Sequence, residues 1–277
     1  MLKNIKFDFR VLFHSTQFKV TILFSVLGAF MLPFILYFNV DVQSVGNSYD
    51  SFWFYNPNTR TVMFAFMIVV SLFSVLGNST IYLEESQFVS QLFSRTSPKK
   101  YYISKFVTTF FSGFAIISIF LTLNYLNTWL ILGAKDVFIT TNTYIFNINS
   151  ERLIRSVFTF PYLWSNYPHL NSLLYILLIS LLCGAFSFAT FGISHIIRNK
   201  VVVYLGATIF SVLSAIVLNL FSNPISLWYW MNVFDPQPLT RFDTPAGINV
   251  YLMFMWYIIL LLIGVGSIVY SRKYDIV

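Results

Sequence analysis

Charged residues and cysteine are both scarce in this chain. Only 10% of its 277 residues are Asp, Glu, Lys or Arg, whereas a soluble domain carries roughly a quarter. So few charges cannot keep the surface of a soluble protein of this length hydrated, which excludes a soluble fold. Cys183 is the single cysteine, so an intrachain disulfide and a cysteine-based metal site are excluded as well.

The sequence also lacks the common catalytic motifs. No GxxxxGK[ST] phosphate loop occurs, so the chain does not bind and hydrolyse ATP in the P-loop manner. HExxH and GxSxG are absent too, and the three histidines His14, His169 and His195 are scattered. We therefore predict a chain that is not an enzyme and holds no catalytic, cofactor-binding or metal-binding residue of its own.

Long apolar runs fill most of the chain, and 57% of all residues are hydrophobic. A bilayer core of about 30 Å needs about 20 apolar residues per helix. Six segments meet this length, approximately residues 18–38, 62–83, 106–133, 170–197, 201–221 and 250–270. They are continuous and do not alternate in ten-residue stretches, which disfavours a transmembrane barrel. The sequence predicts one all-α membrane domain with six transmembrane helices over residues 1–277.

The distribution of basic residues predicts the orientation. Of the 17 Lys and Arg residues, twelve fall on the side that holds both termini and five on the other side. Because cytoplasmic loops collect Lys and Arg, both termini are predicted to be cytoplasmic in a multi-pass protein of the cell membrane. The basic excess then follows topology and lipid headgroups, so membrane lipid is an expected partner and nucleic acid is not.

The first 18 residues have the pattern of an amphipathic helix. One face is basic and polar, with Lys3, Lys6, Arg10 and Gln17, and the other is apolar, with Leu2, Ile5, Phe9, Leu12 and Phe13. This predicts an interfacial helix along the inner leaflet. The alternative is a frayed basic N-terminus that only orients the first span.

The last predicted outer loop, Ser222 to Asn249, holds an apolar and aromatic cluster between Pro224 and Pro236. The cluster is too short to span a bilayer, so it either dips into the outer leaflet and returns or rests at the interface. We favour the re-entrant form, in which protein or water must cover the polar backbone.

The stretch from Ile81 to Lys105 is a polar insert between the second and third predicted spans. Its apolar residues Phe88, Val89, Leu92 and Phe93 recur at i, i+1, i+4 and i+5, as on one stripe of a helix. Around them lie Glu84, Glu85, Gln87, Gln91 and Arg95. Pro98 restrains Ser97 away from the helical region, so one helix should end near Thr96. A second helix should begin with Ser97 as its cap and Pro98 in its first position.

This insert resembles the characteristic stretch of type-two ABC export permeases. The matching residues are Glu84, Glu85, Leu92, Ser97, Pro98, Tyr102 and Lys105. Members usually carry a glycine where this chain has Gln87 to Val89, which leaves the subfamily open.

The resemblance implies a permease subunit of an ATP-driven exporter, paired with a second copy or a sister permease. Residues 84–95 would then be a cytoplasmic coupling helix that docks in a cleft of a separate ABC ATPase subunit. The coupling residues carried over are Glu84, Glu85, Gln87, Phe88, Gln91, Leu92, Phe93 and Arg95. ATP and Mg would bind that ATPase and not this chain.

The predicted span interiors contain no Asp, Glu, Lys or Arg, which disfavours an ion-coupled transporter. Their polar residues are mild, and we expect them to form hydrogen bonds between helices more often than to contact substrate: Asn78, Asn124, Ser211, Ser214 and Asn219. A pathway without fixed charges suits a hydrophobic or amphipathic cargo, such as an antimicrobial peptide, a drug or a lipid-linked molecule.

Two other classes stay open. Glu84 and Glu85, with FxxxH at Phe191 to His195 and HxxxN at His195 to Asn199, resemble fragments of the CAAX-type intramembrane protease signature. Val89 occupies the place of that family's arginine, and one histidine would have to serve two motifs. The other alternative is a structural or signalling membrane protein without a transport role.

Overall fold

Helices make up the regular secondary structure of the described residues, which include no strand. A computed structural model describes residues 2–39, 69–78, 81–85, 91, 93, 97–132, 160–197, 199–220 and 247–273. The helices are α1 (Leu2–His14), α2 (Thr16–Asn39), α3 (Ile81–Glu85), α4 (Pro98–Leu132), α5 (Pro161–Asn166), α6 (Pro168–Ser194), α7 (Lys200–Leu220) and α8 (Gly247–Lys273). Residues 69–76 are helical as well. The all-α class is therefore confirmed for this part of the chain.

Three of these helices are long and apolar enough to cross a membrane: Pro98–Leu130 in α4, His169–Ser194 in α6 and Tyr251–Lys273 in α8. The bent pair α1 and α2 can supply a fourth span, and α7 contributes the shorter apolar stretch Lys200–Leu213. The chain is thus a helical membrane protein, but its described residues contain three or four candidate spans and not the predicted six. Residues 62–68 of the predicted second span, and residues 222–246 of the loop that we expected to be re-entrant, lie outside the described residues. The last three residues of that predicted loop, Gly247 to Asn249, already belong to α8.

Helix boundaries differ from the predicted spans at the start of α4 and at the end of α6. Helix α4 begins at Pro98, as the Ser97–Pro98 pattern predicts, and enters the apolar region without a break. Helix α6 ends at Ser194, three residues before the predicted limit, and His195 forms its C-cap. Beyond the end of α1, the Ser15 Oγ accepts a hydrogen bond from the Phe18 backbone N–H at 3.4 Å, which helps start α2. The bend between α1 and α2 is 60°.

Helix α4 occupies the centre of the bundle, where it packs against α1, α2 and α6. Glycines allow the close approach of α4 to α6. A Cβ atom on Gly113 would lie 2.8 Å from the Cys183 carbonyl oxygen, and one on Gly184 would lie 2.9 Å from the Phe110 carbonyl oxygen. Small residues at contacts of this kind let two membrane helices approach backbone to backbone. This packing holds the start of α4 in a defined place relative to α1 and α6.

Candidate functional site

Three charged side chains from different helices meet at the start of α4. The Lys105 Nζ lies 2.9 Å from Asp8 Oδ1 and 2.5 Å from Glu85 Oε1. The Lys105 side chain is only 2% exposed, and those of Asp8 and Glu85 are 9% and 24% exposed. This ion triad, which we define as Asp8, Glu85 and Lys105, joins α1, α3 and α4.

Every carboxylate oxygen of the triad has a donor. Besides the two contacts of Lys105, Ser104 Oγ donates to Asp8 Oδ2, and the Tyr101 hydroxyl donates to Glu85 Oε2 at 2.8 Å. Burial of two carboxylates beside one ammonium is costly unless the remaining lone pairs are also hydrogen-bonded. The two hydroxyl groups meet this requirement, so the triad is a satisfied buried network.

An aromatic cluster lies next to the triad, where the Lys105 Nζ is 5.5 Å from the centre of the Tyr101 ring. The Phe93 ring lies 5.5 Å from the Tyr101 ring in an edge-to-face contact and 6.1 Å from the Tyr102 ring. From the end of α8, the Arg272 guanidinium lies 5.5 Å from the centre of the Tyr102 ring. The start of α4, the end of α8 and Phe93 therefore converge at this aromatic cluster, defined as Phe93, Tyr101 and Tyr102.

His195, directly after the end of α6, lies next to the aromatic cluster. It is fully buried, its Nδ1 lies 2.9 Å from the Phe191 carbonyl oxygen, and its ring lies 5.7 Å from the Tyr102 ring. Burial lowers the pKa of His195 to about 4, although hydrogen bonds to the carbonyl groups of Phe191 and Gly192 oppose this shift. The imidazole is therefore neutral at pH 7.

The predicted coupling residues fall into two groups. Glu85 takes part in the triad, Phe93 packs within the aromatic cluster, Gln91 is exposed, and Glu84 belongs to α3. The other coupling residues, Gln87, Phe88, Leu92 and Arg95, lie outside the described residues. The structure thus brings two of the predicted residues to the start of α4, where Tyr102 and Lys105 of the same motif also lie.

Sequence reasoning did not find the pairing of Asp8 with Lys105. Asp8 is the single acidic residue of the otherwise basic α1, and it lies one turn before the fully buried Leu12. An acid on the apolar face of a basic helix needs a buried cation. The position of Asp8 on the apolar face therefore indicated a buried ion pair. The sequence alone did not identify which of the many basic residues would pair with it.

A second polar contact joins the helices around residues 69–78. The Gln17 Nε2 donates to the Leu76 carbonyl oxygen at 2.5 Å and also to the Tyr204 hydroxyl. The Ser71 and Ser211 hydroxyls are 2.7 Å apart, so the prediction that Ser211 forms a hydrogen bond between helices is confirmed. These bonds attach α7 to residues 69–78 and to the start of α2.

Metal-binding groups do not assemble in this part of the chain: among the described residues, no cluster of three or more His, Cys, Asp and Glu side chains could hold a metal ion. Glu85, one of the residues in the protease-like pattern, is bound to Lys105 and Tyr101.

Comparison with known proteins gives no relative: no family model, no curated protein and no solved structure matches this chain.

Proposed function

We propose that this chain is the permease subunit of an ATP-driven exporter in the cell membrane, with six spans and both termini in the cytoplasm. Residues 84–95 form its coupling helix, which docks on a separate ABC ATPase that binds ATP and Mg. A second copy or a sister permease completes the transport unit. The observation that supports this proposal best is the ion triad, because it attaches the start of the coupling segment to α4.

A coupling element must be rigidly connected to the spans that it moves. Glu85 is bound to Lys105 and Tyr101 of α4, and eight residues later Phe93 packs on Tyr101 and Tyr102. Both contacts fall within the first two turns of α4. A movement of the coupling helix would therefore be transmitted to the start of α4.

Helical spacing separates the residues that face α4 from those that can face a partner. On a continuous coupling helix, Glu85 and Phe93, which are eight residues apart, would lie near one face, and both contact α4. Phe88 would lie on a stripe with Gln91 and Arg95, at i, i+3 and i+7, and Leu92 would lie between this stripe and Glu85. Since Gln91 is exposed, we place Phe88 in the ATPase cleft and Leu92 at its border, as anchors of the helix-in-groove kind.

The distribution of buried charge indicates the chemical class of the transported compound. Among the described residues, the buried charged side chains are Asp8 and Lys105, and both lie at the end of the bundle that this proposal assigns to the cytoplasm. A pathway lined by the remaining residues suits a hydrophobic or amphipathic compound, such as an antimicrobial peptide, a drug or a lipid-linked molecule.

The test is co-purification from native membranes. A tagged chain should retain a P-loop ATPase, and Phe88→Ala combined with Leu92→Ala should release it and abolish export. The matched control is Leu23→Ala with Leu27→Ala, which truncates two exposed apolar residues of α2. Retention of the ATPase and unchanged export in the Phe88 and Leu92 variant would contradict the proposal. Cleavage of a prenylated peptide that depends on Glu84 and His195 would favour the protease alternative.

A further inference from the structure

The outward face of α1 combines positive charge with exposed aromatic rings. Lys3, Lys6 and Arg10 are all exposed and follow the i, i+3, i+7 spacing of one helical stripe. Apolar residues border this stripe on both sides: Phe7 is 64% exposed and Val11 37% on one side, and Phe13 is 50% exposed on the other. We name these six residues the α1 outer face.

The opposite side of α1 is committed to the protein interior. Leu12 is fully buried, and the single acidic residue of the helix, Asp8, is neutralised there by Lys105. The outer face therefore contains no acid, and its three basic side chains make no ion pair within the described part of the chain. Among the described residues, no acidic side chain therefore neutralises the positive charge of this face.

The direction of α1 determines where this face lies. Since the axis turns by 60° between α1 and α2, α1 runs closer to the membrane plane than to its normal when α2 stands upright in the bilayer. At that angle the two ends of the stripe, about two turns apart, differ in depth by only about 5 Å, which long Lys and Arg side chains can span.

Neither water alone nor lipid acyl chains alone can solvate all six residues of the α1 outer face favourably. An aqueous surface would leave Phe7, Val11 and Phe13 hydrated, whereas a purely acyl environment would desolvate three cations. The layer that accepts both is the headgroup region, where aromatic rings insert below the phosphates and Lys and Arg extend to them. We propose that the α1 outer face binds anionic phospholipid headgroups and enriches them around this protein.

The experiment uses the full-length chain in vesicles of phosphatidylcholine and phosphatidylglycerol. Because Cys183 is the single cysteine and is buried, a bimane label reacts selectively at Phe7→Cys. In two otherwise identical preparations, a quenching doxyl group is carried by either the phosphatidylglycerol or the phosphatidylcholine. The labelled phosphatidylglycerol should quench more strongly, with about fivefold enrichment for each basic residue, which is the equivalent of about 1 kcal/mol per Lys or Arg.

The charge dependence separates lipid recognition from simple insertion. Lys3→Gln, Lys6→Gln and Arg10→Gln together should make the two quenchers equally effective, while the charge-conserving set Lys3→Arg, Lys6→Arg and Arg10→Lys should keep the preference. Equal quenching by both lipids in the unaltered stripe, no quenching by either, or a preference that survives removal of the charges would each overturn the proposal. None of these readouts depends on an ATPase or on export.

Discussion

Lys105 and Asp8 are 97 residues apart in the chain, yet Lys105 Nζ and Asp8 Oδ1 are 2.9 Å apart in the protein interior. The pair joins the N-terminal helix to the longest described helix of the bundle. Because Glu85 contacts the same ammonium, a change in any one of the three alters the balance of charge for the other two. Helix α1 is therefore an integral part of the membrane domain and not an independent anchor.

Removal of the Lys105 ammonium should be strongly destabilising. Lys105→Met leaves two carboxylates close together without a cation, and we expect the free energy of unfolding in mixed micelles to fall by about 3 kcal/mol. Lys100→Met, at an exposed position of the same helix, should change it by less than about 0.5 kcal/mol. Addition of Asp8→Asn to Lys105→Met should recover part of the loss, and additive effects of the two changes would contradict the pairing.

The Tyr101 hydroxyl has a role separate from that of its ring. Tyr101→Phe keeps the ring contact with Phe93 but removes the donor to Glu85 Oε2, so we expect a loss of about 1.5 to 3 kcal/mol of unfolding free energy. Tyr167→Phe removes a hydroxyl from an exposed tyrosine and serves as the control. Equal stability of the two variants would show that Glu85 does not need this donor.

The contact between α6 and α8 requires glycine at Gly192. A Cβ atom there would lie 2.5 Å from the Gly264 carbonyl oxygen, so Gly192→Ala must push the helices apart and should cost about 1 to 3 kcal/mol of unfolding free energy. Gly266→Ala is the matched control, because no described residue lies within 4 Å of its added methyl group and alanine favours the helix. Thermal unfolding of both variants in the same detergent measures the difference. A Gly192→Ala protein as stable as the control would refute this packing.

Protonation linked to His195 should lower the free energy of unfolding at acidic pH. Its pKa is about 4 in the folded protein and near 6.5 when unfolded, so both states are neutral above pH 6.5. As the pH falls from 6.5 to 4, the unfolded state binds a proton that the folded state does not, and the free energy of unfolding drops by up to about 3 kcal/mol. His195→Gln should flatten this part of the pH profile, whereas His14→Gln, at an exposed position, should leave it steep. The same slope in all three proteins would be inconsistent with a buried neutral His195.

Asn124 and Asn127 should respond in opposite directions to the same substitution. Asn124 is fully buried and neither polar atom of its side chain has a hydrogen-bond partner among the described residues, whereas Asn127 Nδ2 donates to the Ala29 carbonyl oxygen at 3.3 Å. Asn124→Leu should therefore be neutral or raise the free energy of unfolding by about 1 kcal/mol, because it removes an uncompensated amide. Asn127→Leu should lower it. A destabilised Asn124→Leu would indicate that a bound water or ligand satisfies this amide.

The pattern of residues was sufficient for the local features of the candidate site. The Ser97–Pro98 pair predicted the start of α4, and the apolar residues of the first 18 predicted an amphipathic helix whose Leu12 is buried. Both are consequences of backbone restriction and helical periodicity, which act over a few residues. The same reasoning placed Phe93 on an apolar stripe and assigned it to the ATPase contact, whereas in the structure it packs on Tyr101 and Tyr102 of its own chain.

The sequence by itself determined that the chain is a helical membrane protein, because its apolar residues form long continuous runs, in which a helix satisfies every backbone group within the segment. The sequence also predicts that the basic residues collect on one side of the membrane. Only the tertiary structure decided which of the basic residues is buried. Lys105 is buried and pairs with Asp8 and Glu85, while the side chains of Lys3, Lys6 and Arg10 are exposed. Pairing between distant segments depends on how helices pack in three dimensions, and the apolar stripe of a single helix carries no information about the partner that will cover it.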